Sequence, residues 1–330
     1  MQQVWKNTLY LYVDQHNRQE VDDRHHAIKA PITDMDYNLR MSERSARLKD
    51  WYKQRGAMPA KSQTKAKLVR TYEGDGEVLV DMEFHIQRTM DQQGFLMLEE
   101  RIEKERITLS KEGDSWVVAR VEHKEPERAV RRDIKEEEQA LIKSRSKPYL
   151  NPSLLGSART ARRVNYRRDK AVEYAEQWWN EPNPRFEIFE LDCTNYVSQC
   201  LFAGGAPMDY TGRRESGWWY RGKVNGKESW SYSWSVANSL EHFLLSSKAG
   251  LRAELVDHPN ELKLGDVIQY DWDGDGNYQH STIVTAFDLY GMPLVNAHTT
   301  NSRHRYWDYQ DSYAWNEATN YRFFHIADIF

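Results

Sequence analysis

The chain has 330 residues, enough for two domains, with 29% charged and 39% hydrophobic residues and a formal net charge of -4. Its 46 Lys and Arg are mixed with 50 Asp and Glu along the whole length, which excludes the clustered basic excess that nucleic-acid backbones require. No stretch approaches the roughly 20 apolar residues of a membrane span, and the two cysteines, Cys193 and Cys200, are too few for a disulfide framework.

Residues 1–56 read as helical, with Asp34-Met35-Asp36 offering a helix start and Gly56 and Pro59 closing the region. The apolar run at 9–13 is shorter than the ~7–15 apolar residues of a signal-peptide core. The chain as written is therefore expected to be cytoplasmic, with association with a cell wall or spore left to another route. His25-His26 lies in a polar helical stretch and reads as surface. From residue 65 the period changes. Val78, Val80, Met82, Phe84 and Ile86 alternate with Asp81, Glu83, His85 and Gln87, the mark of a half-buried strand. Glu73-Gly74-Asp75-Gly76-Glu77 makes 67–72 and 77–89 a hairpin, and strands follow at 96–110 and 115–122 around Glu112-Gly113-Asp114. Helices followed by an antiparallel meander give a small α+β domain over 1–123.

Residues 124–159 are dense in charge of both signs, with Val130, Ile134 and Leu141 at helical spacing, and read as a solvated helical linker. Pro148, Pro152 and Gly156 break it, so a second domain is expected over 160–330. Nine of the twelve tryptophans lie there, which marks a change of composition at the boundary.

In the stretch 191–202, Tyr196, Val197, Cys200 and Leu201 recur at helical spacing, and Gly204-Gly205 ends the run. Asp192 is a natural N-cap, which puts Cys193 at the first helical position. There the unpaired N–H groups and the positive helix end favour a thiolate and offer donors to a substrate oxyanion. The plain reading of such a cysteine is a small buried hydrophobe, and for Cys200, mid-helix among apolar neighbours, that reading is preferred. A disulfide between the two is not expected, since seven helical residues separate their Cα atoms by roughly 10 Å. A strand at 264–272, a polar loop at 273–279 and a strand at 280–287 follow. His280 opens the last of these, and a helix-start cysteine facing a sheet histidine is what a cysteine nucleophile needs. A third strand over 293–300 carries Asn296 and His298. They lie two apart and so share a face, and parity leaves both open as the group that orients His280.

These stretches resemble a known family, the putative amidase domain of Bacillus-type bacteria, related to the NlpC and CHAP cell-wall peptidases of the papain-like group. The resemblance rests on Asp192-Cys193-Thr194-Asn195-Tyr196-Val197-Ser198-Gln199-Cys200-Leu201, on Ser231-Tyr232-Ser233-Trp234 and on Gly265-Asp266-Val267-Ile268-Gln269-Tyr270. It continues through His280-Ser281-Thr282-Ile283-Val284-Thr285 and Ala297-His298-Thr299. It covers about 160–330 and implies a papain-like α+β domain that hydrolyses amide bonds of peptidoglycan stem peptides without a cofactor. It places the nucleophile on Cys193, the base on His280 and the orienting role on His298, with Asn296 in reserve.

Other signals carry competing readings. Asp271, Asp273 and Asp275 before Gly276 copy half of a calcium loop, but position twelve is Thr282 where a glutamate belongs, so a polar hairpin loop is preferred. Trp218, Trp219 and Trp234 are candidates for a substrate-binding wall, against the reading that large rings simply pack over the core. Zinc held by Cys193, His280, His298 and His304 is disfavoured by the lack of close ligand pairs. The rival functions are a binding module for cell-wall glycan or peptide that has lost catalysis, and an intracellular cysteine peptidase or acyltransferase on another amide.

Overall fold

The alternation at 78–86 becomes the inner strand of a meander. In β2 (Glu77–Gln92) every second residue from Val78 onward is buried. This strand lies between β1 (Met58–Glu73) and β3 (Phe95–Glu112), and β4 (Ser115–Lys124) pairs with the second half of β3, all antiparallel. Two helices precede the meander, α1 (Trp5–Gln19) and α2 (Met35–Arg55). Asp34 caps α2 by accepting the Tyr37 N–H at 2.9 Å, and Gly56 closes it in the left-handed conformation, φ 59°, that a Cβ would disfavour. Trp5, Leu9, Tyr12 and Tyr37 pack on Val78, Val80, Phe84, Ile107 and Leu109.

The computed structural model describes residues 4–20, 29–124, 127 and 164–330. His25-His26 and the expected linker helix with Val130, Ile134 and Leu141 lie outside the described residues. The chain is mixed α+β with antiparallel sheets, and it divides into two compact units. One is Met1–Pro126 with Thr300–Tyr313, the other Glu127–Thr299 with Ala314–Phe330.

In the first unit, the meander takes a strand from far along the chain. Ser302 and Arg303 pair with Arg101 and Glu100 at the start of β3. The face of β3 that carries Ile107 and Leu109 also carries Glu99, Arg101, Glu103 and Glu105, all buried. The charges of Glu99 and Arg101 are matched from other elements. Arg88 donates to Glu99 at 2.6 Å, Arg55 to Glu99 at 2.7 Å, and Arg101 to Glu20 at 2.5 Å; nearby, Arg305 donates to Asp311 at 2.8 Å.

The second unit is built on a five-stranded antiparallel sheet. Its strands are β7 (Ala253–Val256), β8 (Val267–Asp271), β9 (His280–Phe287), β10 (Pro293–Ala297) and β12 (Asn320–Ile326), in the order β10-β9-β8-β12-β7; β11 (Ser302–Tyr306) belongs to the first unit. Helices α3 (Arg168–Trp178), α4 (Cys193–Ala203), α5 (Tyr232–Ser235) and α6 (Ala237–Ser246) accompany a hairpin of β5 (Tyr220–Val224) and β6 (Lys227–Trp230). The core joins Tyr196, Val197, Cys200 and Leu201 of α4 to Val267, Ile283, Phe324 and Ile326 of the sheet. No helix among the described residues is long and apolar enough to cross a membrane.

Candidate active site

The centre of the second unit is α4, whose first nine residues are all buried. A helix that buries polar side chains must give each a partner, and this one does. Thr194 meets the Ser281 hydroxyl at 3.1 Å, Ser198 accepts the Trp218 indole N–H at 3.0 Å, and the Asn195 carbonyl accepts that of Trp234 at 2.8 Å. Tyr174 donates to Gln199 at 2.6 Å, and Tyr196 to the Ala175 carbonyl at 2.8 Å. These bonds fix the start of α4 in position and orientation, and with it Cys193.

Cys193 is the first residue of α4, as its spacing predicts, but Asp192 does not cap the helix with its side chain. The carboxylate is drawn elsewhere. One oxygen accepts the Phe189 N–H at 3.1 Å and the Asn195 amide at 2.8 Å, and the other lies 2.7 Å from Nδ1 of His298. The first-turn N–H groups of α4 are thus left uncapped by Asp192, which suits them to an incoming oxyanion. The thiol of Cys193 lies 3.8 Å from the Thr194 hydroxyl and 4.0 Å from the Gln279 carbonyl. Burial pushes the thiol above its ordinary value, opposed by the Ser281 N–H and by the Thr194 and Thr299 hydroxyls. That direction favours a neutral thiol at rest over the thiolate of a preformed ion pair. Cys200 is buried in the core beside Val197 and Leu201, and both cysteines are free thiols.

His280 begins β9 and is fully buried. Ser281 and Ile283 face α4, so alternation turns His280 and Thr282 to the other side of the sheet. There the imidazole packs against Tyr270 and Trp272, with ring centroids 5.5 and 5.8 Å away. The contacts of Cys193 fall on the two peptide groups that flank His280, the Gln279 carbonyl and the Ser281 N–H. The thiol therefore rests against the backbone of the residue that carries the imidazole.

The two candidates for an orienting group are tied into α3. His298 contacts Asp192 through Nδ1 and the Trp178 carbonyl through Nε2, each at 2.7 Å, and stacks on Tyr196 at 4.1 Å. Both ring nitrogens thus face acceptors, and the ring spans from the last carbonyls of α3 to the start of α4. Asn296 donates to Glu176 at 2.9 Å and accepts from Thr285 at 2.8 Å. Neither of these bonds runs to His280; they lock α3 and α4 onto β10. His298→Asn keeps at most part of this staple, and is expected to cost about 1.5–3 kcal/mol in urea unfolding. Thr299, next along, is held at φ 86°, a left-handed conformation rare for a β-branched residue.

Trp218, Trp219 and Trp234 are all buried, with their indole N–H groups bonded internally, Trp219 to the Ser216 carbonyl at 3.0 Å. Trp218 and Trp234 form the packing around α4 and Trp219 packs on Tyr210, so the three do not make an open wall. The loop with Asp271, Asp273 and Asp275 is organised by one carboxylate: Asp271 accepts N–H groups from Asp273, Gly274, Asp275 and Gly276 at 2.8–3.3 Å. Among the described residues these three carboxylates do not converge into a cation-sized cluster. His304 belongs to the first unit. Sequence reasoning missed Asp192 as a hub, and Ser281 and Thr299 as neighbours of the thiol. The Asp-Cys-Thr-Asn order holds a trace of the first, because a carboxylate and an amide three apart in a helix start can bond to each other.

Residues 165–324, which include Cys193, His280, Asn296 and His298, match the model of a protein family described as "Putative amidase domain". That description is of an amide hydrolase. The uncharacterized protein YhbB of Bacillus subtilis (strain 168) is 53% identical over 167 residues, which cover 51% of this chain and 52% of its own length. The uncharacterized protein YjcM of the same strain is 28% identical over 211 residues, covering 59% of this chain and 47% of its own. The chain thus spans about half the length of the curated relatives it matches, and no solved structure matches it.

Proposed function

We propose that the second unit is a cysteine-dependent amide hydrolase of papain-like type, with Cys193 as nucleophile and His280 as base. The observation that carries the reading is the placing of the Cys193 thiol at the uncapped start of a buried helix, against the peptide groups on either side of His280. In this mechanism the imidazole leaves its packing against Tyr270 and Trp272, on the side of the sheet away from α4, for a rotamer that reaches the thiol past the start of β9, and takes its proton. The sulfur attacks the substrate carbonyl, a C–S bond forms, and the first-turn N–H groups of α4 receive the oxyanion. The C–N bond then breaks, and the proton passes to the departing amine. Water hydrolyses the thioester, releasing the acid and restoring the thiol. No step calls for a cofactor. Asp192 and His298 act by holding the start of α4 in place.

The substrate class we infer is the stem peptide of peptidoglycan, supported by the resemblance of the motif order to that of the NlpC and CHAP peptidases. Purified cross-linked peptidoglycan is the direct test, with new amino groups and new reducing ends counted separately. New amino groups without reducing ends are the expected result. Absence of both, together with retention on insoluble peptidoglycan that Cys193→Ala leaves unchanged, would replace this reading with that of a binding module. An added amine that appears in the product would assign acyl transfer in place of hydrolysis.

A further inference from the structure

The first unit holds a second cluster of chemistry-bearing groups. Glu103 and Glu105 are two apart on β3 and so share its inner face, and Glu105 pairs across the strands with His123 of β4. Helix α1 brings His16 to the same face. Its Nε2 lies 3.6 Å from Oε2 of Glu103 and 3.9 Å from Oε1 of Glu105, and Nδ1 of His123 lies 3.3 Å from that same Glu105 oxygen. His16, Glu103 and Glu105 are all at least nine-tenths buried.

Each carboxylate is divided between two tasks. Glu103 accepts from Arg101 Nε at 2.6 Å through Oε1, and Glu105 accepts from the Tyr12 hydroxyl at 2.6 Å through Oε2. The other oxygen of each, Oε2 of Glu103 and Oε1 of Glu105, is buried without a hydrogen-bond partner and is aimed at His16. Leaving two carboxylate oxygens buried and unmatched is costly, and the cationic neighbours are engaged elsewhere. Arg101 and Arg44 both reach Glu20, at 2.5 and 3.8 Å. The His16 ring is itself fixed by stacking on Phe84, with centroids 5.0 Å apart and planes 12° from parallel.

We propose that His16, Glu103 and Glu105 form a binding site for a divalent first-row metal ion such as zinc, with His123 at its edge. One imidazole and two carboxylates are a donor set that suits such ions. The three donor atoms lie within 4.8 Å of one another. In a tetrahedral zinc site donors stand roughly 3.3 Å apart, so small side-chain shifts close the observed gaps. The bonds from Arg101 and Tyr12 supply the outer support that orients metal-binding carboxylates.

A proton on His16 would satisfy the same face, and the experiment separates the two. The full chain is stripped with a chelator and titrated with zinc chloride by calorimetry, and with cobalt chloride by visible absorption. The expected result is one saturable equivalent per chain. The cobalt spectrum should show nitrogen and oxygen donors, with no thiolate charge-transfer band. His16→Gln and Glu105→Gln should weaken binding by at least about a hundredfold, and Cys193→Ala should leave it unchanged. Glu103→Gln, which preserves shape, with circular dichroism of each metal-free variant, guards against loss of fold. No saturable binding by the stripped wild type, or equal affinity in the folded variants, would overturn the proposal.

Discussion

Cys193→Ala is expected to slow amide hydrolysis by at least about a thousandfold and to leave the second unit folded. The substitution removes a sulfur whose polar contacts are long, 3.8 and 4.0 Å, so little native bonding is lost with it. The chemistry by contrast has no substitute, since the hydroxyls nearby, Thr194 and Ser281, are bonded to each other. The pH behaviour of the thiol gives an independent check. Burial raises it, so at a given pH less thiolate is present than in an unfolded chain. Iodoacetamide should therefore label Cys193 of the folded protein more slowly than that of the denatured protein across neutral pH. Its rate should climb only above the ordinary thiol range. Fast labelling near pH 7 would show a thiolate at rest and contradict the neutral thiol described above. His280→Ala is expected to lose activity without speeding this labelling.

Arg88→Met should cost the first unit about 3–5 kcal/mol, read as a lower urea midpoint. Arg88 is almost fully buried, and it reaches Glu99 at 2.6 Å, the Tyr52 hydroxyl at 2.7 Å, and Glu20 and Asp311 at 3.4 Å each. Removing it strands carboxylates that cannot return to water. Burial alone would raise Glu20, yet Arg101, Arg44 and Arg88 together hold it at about 2, below its ordinary 4.5. Asp311 is likewise held well below the usual carboxylate range against burial, by Arg305, Arg88, Arg101 and Arg44. A carboxylate depressed on folding contributes stability above its unfolded value, and loses it as pH falls towards its folded value. The loss caused by Arg88→Met should accordingly be greatest near neutral pH and narrow between about pH 4 and 2, where those carboxylates take up protons. Adding Glu99→Gln should recover part of the stability, because the pair then leaves together. A variant as stable as wild type at pH 7 would remove the ion network from the account of this unit.

Much of the fold was legible because local rules agreed with the final structure. The period of two over Val78 to Ile86 becomes β2, and Asp34 and Gly56 bound α2, one by its capping carboxylate and the other by its freedom to turn left-handed. The strands were expected too short at their outer ends, as for β1, whose first residues are polar or exposed. The inner face of β3 was not legible. The strand was expected over 96–110, but nothing local shows that its charged residues Glu99, Arg101, Glu103 and Glu105 turn inward, or that Glu20, Arg55 and Arg88 arrive to match Glu99 and Arg101. In the second unit the sequence located Cys193 at a helix start and His280 at a strand start. It did not reveal where the imidazole turns, because burial on both faces of β9 erases the alternation that would tell them apart. Asn296 and His298 share a face as parity required, but that face looks to α3 and the start of α4. The indoles of Trp218 and Trp234 were visible as a cluster. Their reason, the polar side chains of α4, was not.

The make-up of the first unit also sets an order of events during synthesis. A nascent chain that has emerged through residue 126 already carries Arg88, Arg44 and Trp51. Their partners Asp311 and Asp308, by contrast, lie in Thr300–Tyr313, on the far side of the 127–299 segment. Domains ordinarily mature from the N-terminus as they leave the ribosome. Here the first unit holds buried groups whose partners are translated only after the intervening 127–299 segment, so its completion waits on the synthesis of most of the second unit.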